Sequence, residues 1–127
     1  MKMAIKARER GMFPLGHAAA TALTERGVMA QAGGVSWSTD PRLLAPSMIK
    51  LSREQLQAFV NHVSAPIKLL LANGGLPTLY ANYLHEVEQF PHVNYEMLSG
   101  GHHLHMEQEV DLVAEKLNEF FSQFIIE

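Results

Sequence analysis

The second half of the sequence predicts an α/β fold that contains a pair of parallel strands. Two short apolar segments, residues 67–72 and 92–98, each lie between segments whose apolar residues recur at helical spacing. A strand, a helix and a second strand in this order are typical of parallel strands joined by a crossover connection. Because parallel sheets normally contain more strands and are covered on both faces, we expect the sheet of this chain to be incomplete.

The first half is predicted to contain two short helices followed by an irregular segment. Residues 1–11 have high helix propensity, and residues 17–26 form a second helix that ends at a glycine. Glycines and prolines interrupt residues 31–48, so no regular element is expected there. The chain is therefore divided into two parts, residues 1–50 and residues 51–127.

Three helices are predicted in the second part. Residues 52–55 form a capping-box pattern before the first helix, and Pro77 opens the second. The third is predicted over residues 106–125, with polar residues on one face and an apolar stripe on the other. The stripe consists of Val110, Val113, Leu117, Phe120, Phe121 and Phe124.

The composition excludes several functional classes. The chain has 127 residues and a formal net charge of −3, and its lysine and arginine residues do not cluster. Binding to nucleic acid or to an anionic membrane is therefore not expected. No apolar run reaches the roughly 18 residues of a membrane span, and no secretory signal pattern follows the basic N-terminus. The absence of cysteine excludes disulfides and thiolate metal sites, and we expect a cytoplasmic protein.

Residues 100–107, Gly-Gly-His-His-Leu-His-Met-Glu, are the most informative segment for function. Histidine titrates near neutrality, with an unperturbed pKa of about 6.5, and glycine turns after strands often display catalytic side chains. In an extended loop His103 and His105 would point to the same side, and with Glu107 they would offer zinc ligands, although the spacing fits no standard zinc pattern. Glu107 also suits the first turn of the last helix, and a plain solvated turn remains an alternative.

The second strand, the sequence Gly-Gly-His102, Glu107 and the long last helix with its Phe-Phe pair resemble the end of α/β-hydrolase domains. Residues 34–43 are similar to a segment that follows the lid helices in epoxide-hydrolase-like and serine-hydrolase-like members. The resemblance implies that residues 1–50 hold lid-like helices and that residues 51–127 are the C-terminal α/β portion of the core. The expected fold is thus the lid helices plus the last two parallel strands and their helices.

This resemblance implies that His102 is the general base of a hydrolase that acts on ester- or epoxide-like small molecules through a covalent intermediate. Trp37, His103 and His105 are further candidates for the pocket, and no cofactor is implied. The family's nucleophile elbow is absent, so the chain is expected to be inactive alone. The place that often holds the family's acid reads Asn73-Gly74-Gly75 and has no carboxylate.

A second hypothesis is a protein without catalytic activity that assembles through its sheet edge and its apolar helix faces. Two parallel strands leave unpaired backbone groups at each edge, which favours pairing with another copy of the chain. This hypothesis includes the metal site in the histidine loop as an option. Asp40, which precedes a proline, is interpreted as a turn former.

Overall fold

The computed structural model describes residues 1–125, and it divides the chain into two units, Met1–Ser52 and Arg53–Glu127. The first unit opens with α1 (Lys2–Glu9) and α2 (His17–Gly27), which pack against each other. Small buried residues on α2, Ala19 and Ala20, allow a close approach, and the buried Thr24 hydroxyl donates a 2.7 Å hydrogen bond to the Ala20 carbonyl. Both helices agree with the predicted positions.

A β-hairpin follows α2, and the prediction of an irregular segment over residues 31–48 is wrong in this part. Strands β1 (Val28–Gln31) and β2 (Gly34–Trp37) pair in antiparallel fashion. Gly33 provides the turn with a φ of +87°, a conformation that glycine adopts without steric cost. The strands escape sequence analysis because most of their residues are exposed and show no apolar alternation.

The second unit contains the predicted order of helices and strands. Helix α3 leads into the first strand of a parallel pair, a short helical crossover connects the two strands, and a long helix ends the unit. The bounds are α3 (Arg53–Asn61), β3 (Ile67–Gly74), α4 (Leu76–Leu79), α5 (Tyr83–Glu88), β4 (Val93–Gly101) and α6 (Val110–Ser122). The register runs from Ile67 opposite Val93 to Ala72 opposite Leu98.

Two helix predictions are wrong in detail. The helix expected after Pro77 is divided into α4 and α5, because Tyr80 adopts an extended conformation between them. The last helix begins at Val110 instead of residue 106 and ends at Ser122 instead of residue 125. A 3-10 turn at Leu104–Met106 and a non-helical Glu107, with φ of −124° and ψ of −138°, precede it.

The core of the second unit lies beneath the histidine loop. Ala72 near the end of β3, Leu98 near the end of β4, Leu104 in the loop and Val113 on α6 form one buried cluster. Leu104 thus anchors the loop between the two strands and the last helix. Among residues 1–125, no helix has the length and apolar character needed to cross a membrane.

Candidate functional site

The carboxyl ends of β3 and β4 meet at one edge of the parallel pair, and the histidine loop begins there. Gly74 on β3 lies opposite Gly101 on β4, and His102 follows immediately. In sheets of parallel strands this edge is the usual position of binding and catalytic residues. His102 therefore occupies the position that strand order alone would assign to a functional side chain.

The strand ends approach each other closely at two glycines. A Cβ atom on Gly74 would lie 2.9 Å from the Gly100 carbonyl oxygen. A Cβ atom on Gly75 would lie 3.1 Å from the Cβ of Ala72 and 3.3 Å from the Cα of His102. The backbone of His102 is therefore held directly against the turn that follows β3.

The end of β4 contains one residue more than the end of β3. Ala72 lies opposite Leu98, and the next pair is Gly74 with Gly101, so Asn73 faces both Ser99 and Gly100. Gly100 has a φ of +115°, and its N–H donates to the Asn73 side-chain oxygen at 3.2 Å. This geometry is a β-bulge, a feature that often redirects a side chain next to an active site. The sequence shows an amide at this position where a carboxylate was expected, and no local pattern in it predicts this contact.

The three loop histidines differ in exposure and setting. His102 and His103 are half-buried, with ring centroids 5.0 Å apart and an edge-to-face orientation. His105 is exposed, and its ring centroid lies 6.1 Å from that of His103. The expectation that His103 and His105 point to the same side of an extended loop does not hold, because the segment is a turn followed by a 3-10 helix.

The metal hypothesis finds no support in the described part of the chain. No three histidine, aspartate or glutamate side chains within residues 1–125 converge in a way that could hold a metal ion. Glu107 lies three residues before α6 and outside its first turn, so its interpretation as a first-turn acid is wrong. Its carboxylate instead lies near Gly101 at the end of β4. Its Oε2 is 3.9 Å from the position that a Cβ atom on Gly101 would occupy.

A cavity of about 180 Å³ lies beside the loop, and His102 and His105 are among its lining residues. Its other lining side chains are almost all apolar, and they include Leu104 and Val113. Residues 69–72 of β3 line it consecutively, although successive side chains of a strand point to opposite faces. Residues on both faces of β3 therefore border the cavity.

Two further predicted residues, Trp37 and Asp40, lie in the first unit. Trp37 is 39% exposed, and the Arg8 guanidinium lies 4.6 Å from its ring centroid. Asp40 precedes a 3-10 helix, Pro41–Leu44, and accepts a 2.9 Å hydrogen bond from the Arg42 N–H. The Arg42 side chain also lowers the pKa of this carboxyl. The interpretation of Asp40 as a turn former is thus confirmed.

A charged cluster that sequence analysis missed connects β3, β4 and α6. Glu96 accepts from the Lys68 ammonium at 2.7 Å and lies 3.3 Å from that of Lys116. The hydrogen bond from Lys68 is the main cause that lowers the pKa of Glu96. Since each cation is paired with an acid, the cluster has the character of a structural network.

No family model and no curated protein matches the chain, whereas several solved structures do. The crystal structure of the hypothetical protein PA1622 from Pseudomonas aeruginosa PAO1 is similar, with 34% identity and a TM-score of 0.85. The match covers 96% of this chain and 44% of that protein. The selenomethionine form of the same protein matches at the same identity and TM-score.

The thioesterase domain from the curacin biosynthetic pathway is also similar, with 20% identity and a TM-score of 0.70. The match covers 91% of this chain and 42% of that domain. At this identity the likeness concerns the fold alone. The chain thus spans less than half the length of either neighbour, and the predicted fold class, an α/β fold with an incomplete sheet, is confirmed.

Proposed function

We propose that the chain is the C-terminal portion of an α/β-fold hydrolase and that His102 is its general base. The observation that carries this proposal is the position of His102. It follows β4 directly, at the carboxyl edge of the parallel pair, with its Cα against the turn after β3. The His102 backbone packs against the turn after β3, and a defined position is one requirement of a general base.

In this role His102 would accept a proton from a nucleophile, or from a water molecule that attacks a covalent ester intermediate. No serine of this sequence lies in a nucleophile-elbow pattern. Ser38, for example, donates its hydroxyl to the Gly27 carbonyl at 3.0 Å and ends a hairpin. The nucleophile, the oxyanion donors and the acid would come from polypeptide that corresponds to the unmatched part of the structural neighbours.

The lining of the cavity beside His102 supports uncharged substrates, such as small esters or epoxides. Leucine side chains dominate this lining, and His102, His105 and Tyr83 supply its polar side-chain groups. A charged substrate group would lose its hydration there without gaining an opposite charge. No cofactor is needed for this chemistry.

Grafting tests this proposal. Residues 53–127 would replace the corresponding part of an α/β-hydrolase that has an intact nucleophile elbow and measurable esterase activity. Each loop histidine would then be changed to alanine, and hydrolysis of a p-nitrophenyl ester would be measured. We expect His102→Ala to reduce kcat by ~10³-fold or more, as for removal of a catalytic base.

His103→Ala and His105→Ala are the matched controls, and we expect each to change kcat by less than about tenfold, well below the loss of a catalytic base. If either of them lowers kcat far more than His102→Ala, the assignment of the base is wrong. The chain without the graft should hydrolyse the ester no faster than free imidazole does, because it has no nucleophile elbow and no oxyanion donors. Turnover by the unmodified chain that a serine-directed reagent abolishes would contradict this expectation.

The open sheet edges favour a second candidate function, assembly with another copy of the chain. Among the described residues, β3 and β4 each pair with one strand only. Apolar side chains on two helices are also exposed, with Phe59 on α3 63% and Phe121 on α6 59% accessible. Exposed apolar side chains and unpaired strand edges are both typical of protein interfaces.

Light scattering on the purified chain tests the assembly hypothesis. We expect a mass above that of the 14.1 kDa monomer, and a lower mass for the variant Phe59→Glu with Phe121→Glu. Met12→Glu is a suitable control, because Met12 is 79% exposed and belongs to the first unit. A monomer with a cooperative thermal transition would exclude assembly as the function of these surfaces.

A further inference from the structure

Asn73 occupies a place in the fold that the proposed mechanism does not explain. It is the one residue of β3 that faces two residues of β4, at the bulge that immediately precedes the histidine loop. Its side-chain oxygen accepts the Gly100 N–H at 3.2 Å, across the two strands. A side chain thus supplies, at this point, a hydrogen bond that backbone groups supply elsewhere in the pair.

The bulge lies directly before the backbone that carries His102. β4 ends at Gly101 and His102 belongs to the turn that follows, so the position of His102 depends on the backbone of Gly100 and Gly101. His102 is two residues beyond Gly100, whose φ of +115° belongs to the bulge. A change in the bulge would therefore displace the backbone from which the His102 side chain projects.

The turn after Asn73 is coupled to the same backbone. The two glycines that follow it, Gly74 and Gly75, lie against the Gly100 carbonyl and the Cα of His102 respectively. The hydrogen bond on one side and the close packing on the other hold the backbone from Gly100 to His102. Both originate in the segment that begins at Asn73.

We propose that Asn73 is a positioning residue for His102, acting through the Gly100 amide to maintain the bulge on which the position of the His102 backbone depends. The catalytic consequence rests on the proposed function of His102, whereas the structural consequence does not. The residue type fits this role, because the carboxamide oxygen is a hydrogen-bond acceptor.

The test compares three variants of the full chain by NMR. Asn73→Leu has a similar size and no acceptor, Asn73→Asp retains the acceptor, and Asn118→Leu is a control on an exposed position of α6. We expect Asn73→Leu to accelerate amide exchange at Gly100 by about fivefold or more, the effect of one lost hydrogen bond. We also expect it to shift the His102 ring resonances, while those of His62 remain in place.

Asn73→Asp and Asn118→Leu should leave the Gly100 exchange rate within about twofold of the parent chain, since neither loses the acceptor. An unchanged Gly100 exchange rate and unchanged His102 resonances in Asn73→Leu would overturn the proposal. If Asn73→Leu loses amide protection throughout the second unit, Asn73→Ser provides the same comparison, because its shorter side chain does not reach Gly100. Slower exchange or no change in that variant would also overturn it.

The grafted enzyme supplies the catalytic readout. We expect Asn73→Leu to lower kcat by ~10–100-fold with KM within about twofold, because a displaced base impairs the chemical step more than binding. Asn73→Asp should restore kcat to within about threefold of the parent. If His102→Ala has no effect in the graft, the proposed function fails, but the Gly100 exchange data still decide whether Asn73 maintains the bulge.

Discussion

Two Gly-Gly pairs, one in each unit, are needed for different physical reasons. In the first unit, Gly33 adopts a positive φ in the hairpin turn, and no heavy atom lies within 4 Å of a Cβ placed on either Gly33 or Gly34. In the second unit, Gly74 and Gly75 have no positive φ, but a Cβ on either would meet neighbouring backbone at 2.9 to 3.3 Å. The first pair is needed for the backbone conformation of Gly33, and the second is needed because a side chain would have no room.

The ion pairs of the two units also differ, in the distance along the sequence that they span. Asp40 and Arg42 are two residues apart in an exposed loop, and their contact fixes only that loop. Glu96 connects to Lys68 on another strand and to Lys116 on a helix, so its contacts fix the packing of three elements. The Asp40–Arg42 contact is thus local, whereas the contacts of Glu96 join distant parts of the sequence.

The largest effect is expected for Gly74→Ala. The new Cβ would lie 2.9 Å from the Gly100 carbonyl oxygen, and backbone must move to relieve the contact. We expect the free energy of unfolding of the second unit to fall by about 2–3 kcal/mol, the upper range for overpacking. Chemical denaturation followed by circular dichroism measures this change. Gly34→Ala is the matched control, because its Cβ meets open space, and it should change stability by less than about 0.5 kcal/mol.

A smaller effect is expected for Gly100→Ala and Gly33→Ala, which share a positive φ. The backbone conformation alone should cost each variant about 1–2 kcal/mol. Gly100→Ala would also place a Cβ 3.4 Å from the Cβ of Leu104, whereas Gly33→Ala meets nothing. Hydrogen exchange should therefore show faster opening of the histidine loop in Gly100→Ala only. Equal destabilisation with an unaffected loop would mean that space plays no part at Gly100.

The smallest effect on stability is expected for substitution of two acids, Glu96 and Asp40, and this effect depends on pH. The pKa of Glu96 is lowered in the folded chain, chiefly by its hydrogen bond to Lys68, so its contribution is complete above the ordinary value of about 4.3. This contribution is lost as pH falls through the lowered pKa, because the unfolded chain binds the proton first. Glu96→Gln should therefore lower stability at pH 7 and flatten its decline below about pH 4.5.

Asp40→Asn is the control for that titration. The pKa of Asp40 is lowered as well, by Arg42, but the pair is exposed and local. Thermal unfolding at pH 7 and at pH 3 should separate the two variants, with the larger loss at pH 7 in Glu96→Gln. A greater loss in Asp40→Asn would contradict the distinction between local and long-range contacts.

The elements with a strong local signal were predictable from the sequence. The apolar run that becomes β3 is flanked by Pro66 and by the glycines after Asn73, and these signals mark a short buried strand. The hairpin of β1 and β2 was not predictable in the same way, because its residues are mostly exposed and carry no period of two. Neither was the interruption at Tyr80, where the chain becomes extended between two helices.

The candidate site likewise contains one feature that the sequence predicts and one that it does not. The position of His102 after a strand and a glycine pair can be inferred from sequence order alone. The bulge cannot, because it depends on how two segments far apart in the sequence align, from Ala72 with Leu98 to Gly74 with Gly101. The acceptor role of Asn73 follows only from that alignment.

The Arg8 guanidinium above the Trp37 ring makes the indole an optical reporter of the first unit. Trp37 is the sole tryptophan of the sequence, and the three tyrosines, Tyr80, Tyr83 and Tyr95, all belong to the second unit. Indole emission excited at long wavelength therefore follows the first unit, and near-ultraviolet tyrosine absorbance follows the second. Whether the two units melt in one step or in two can be determined without any label.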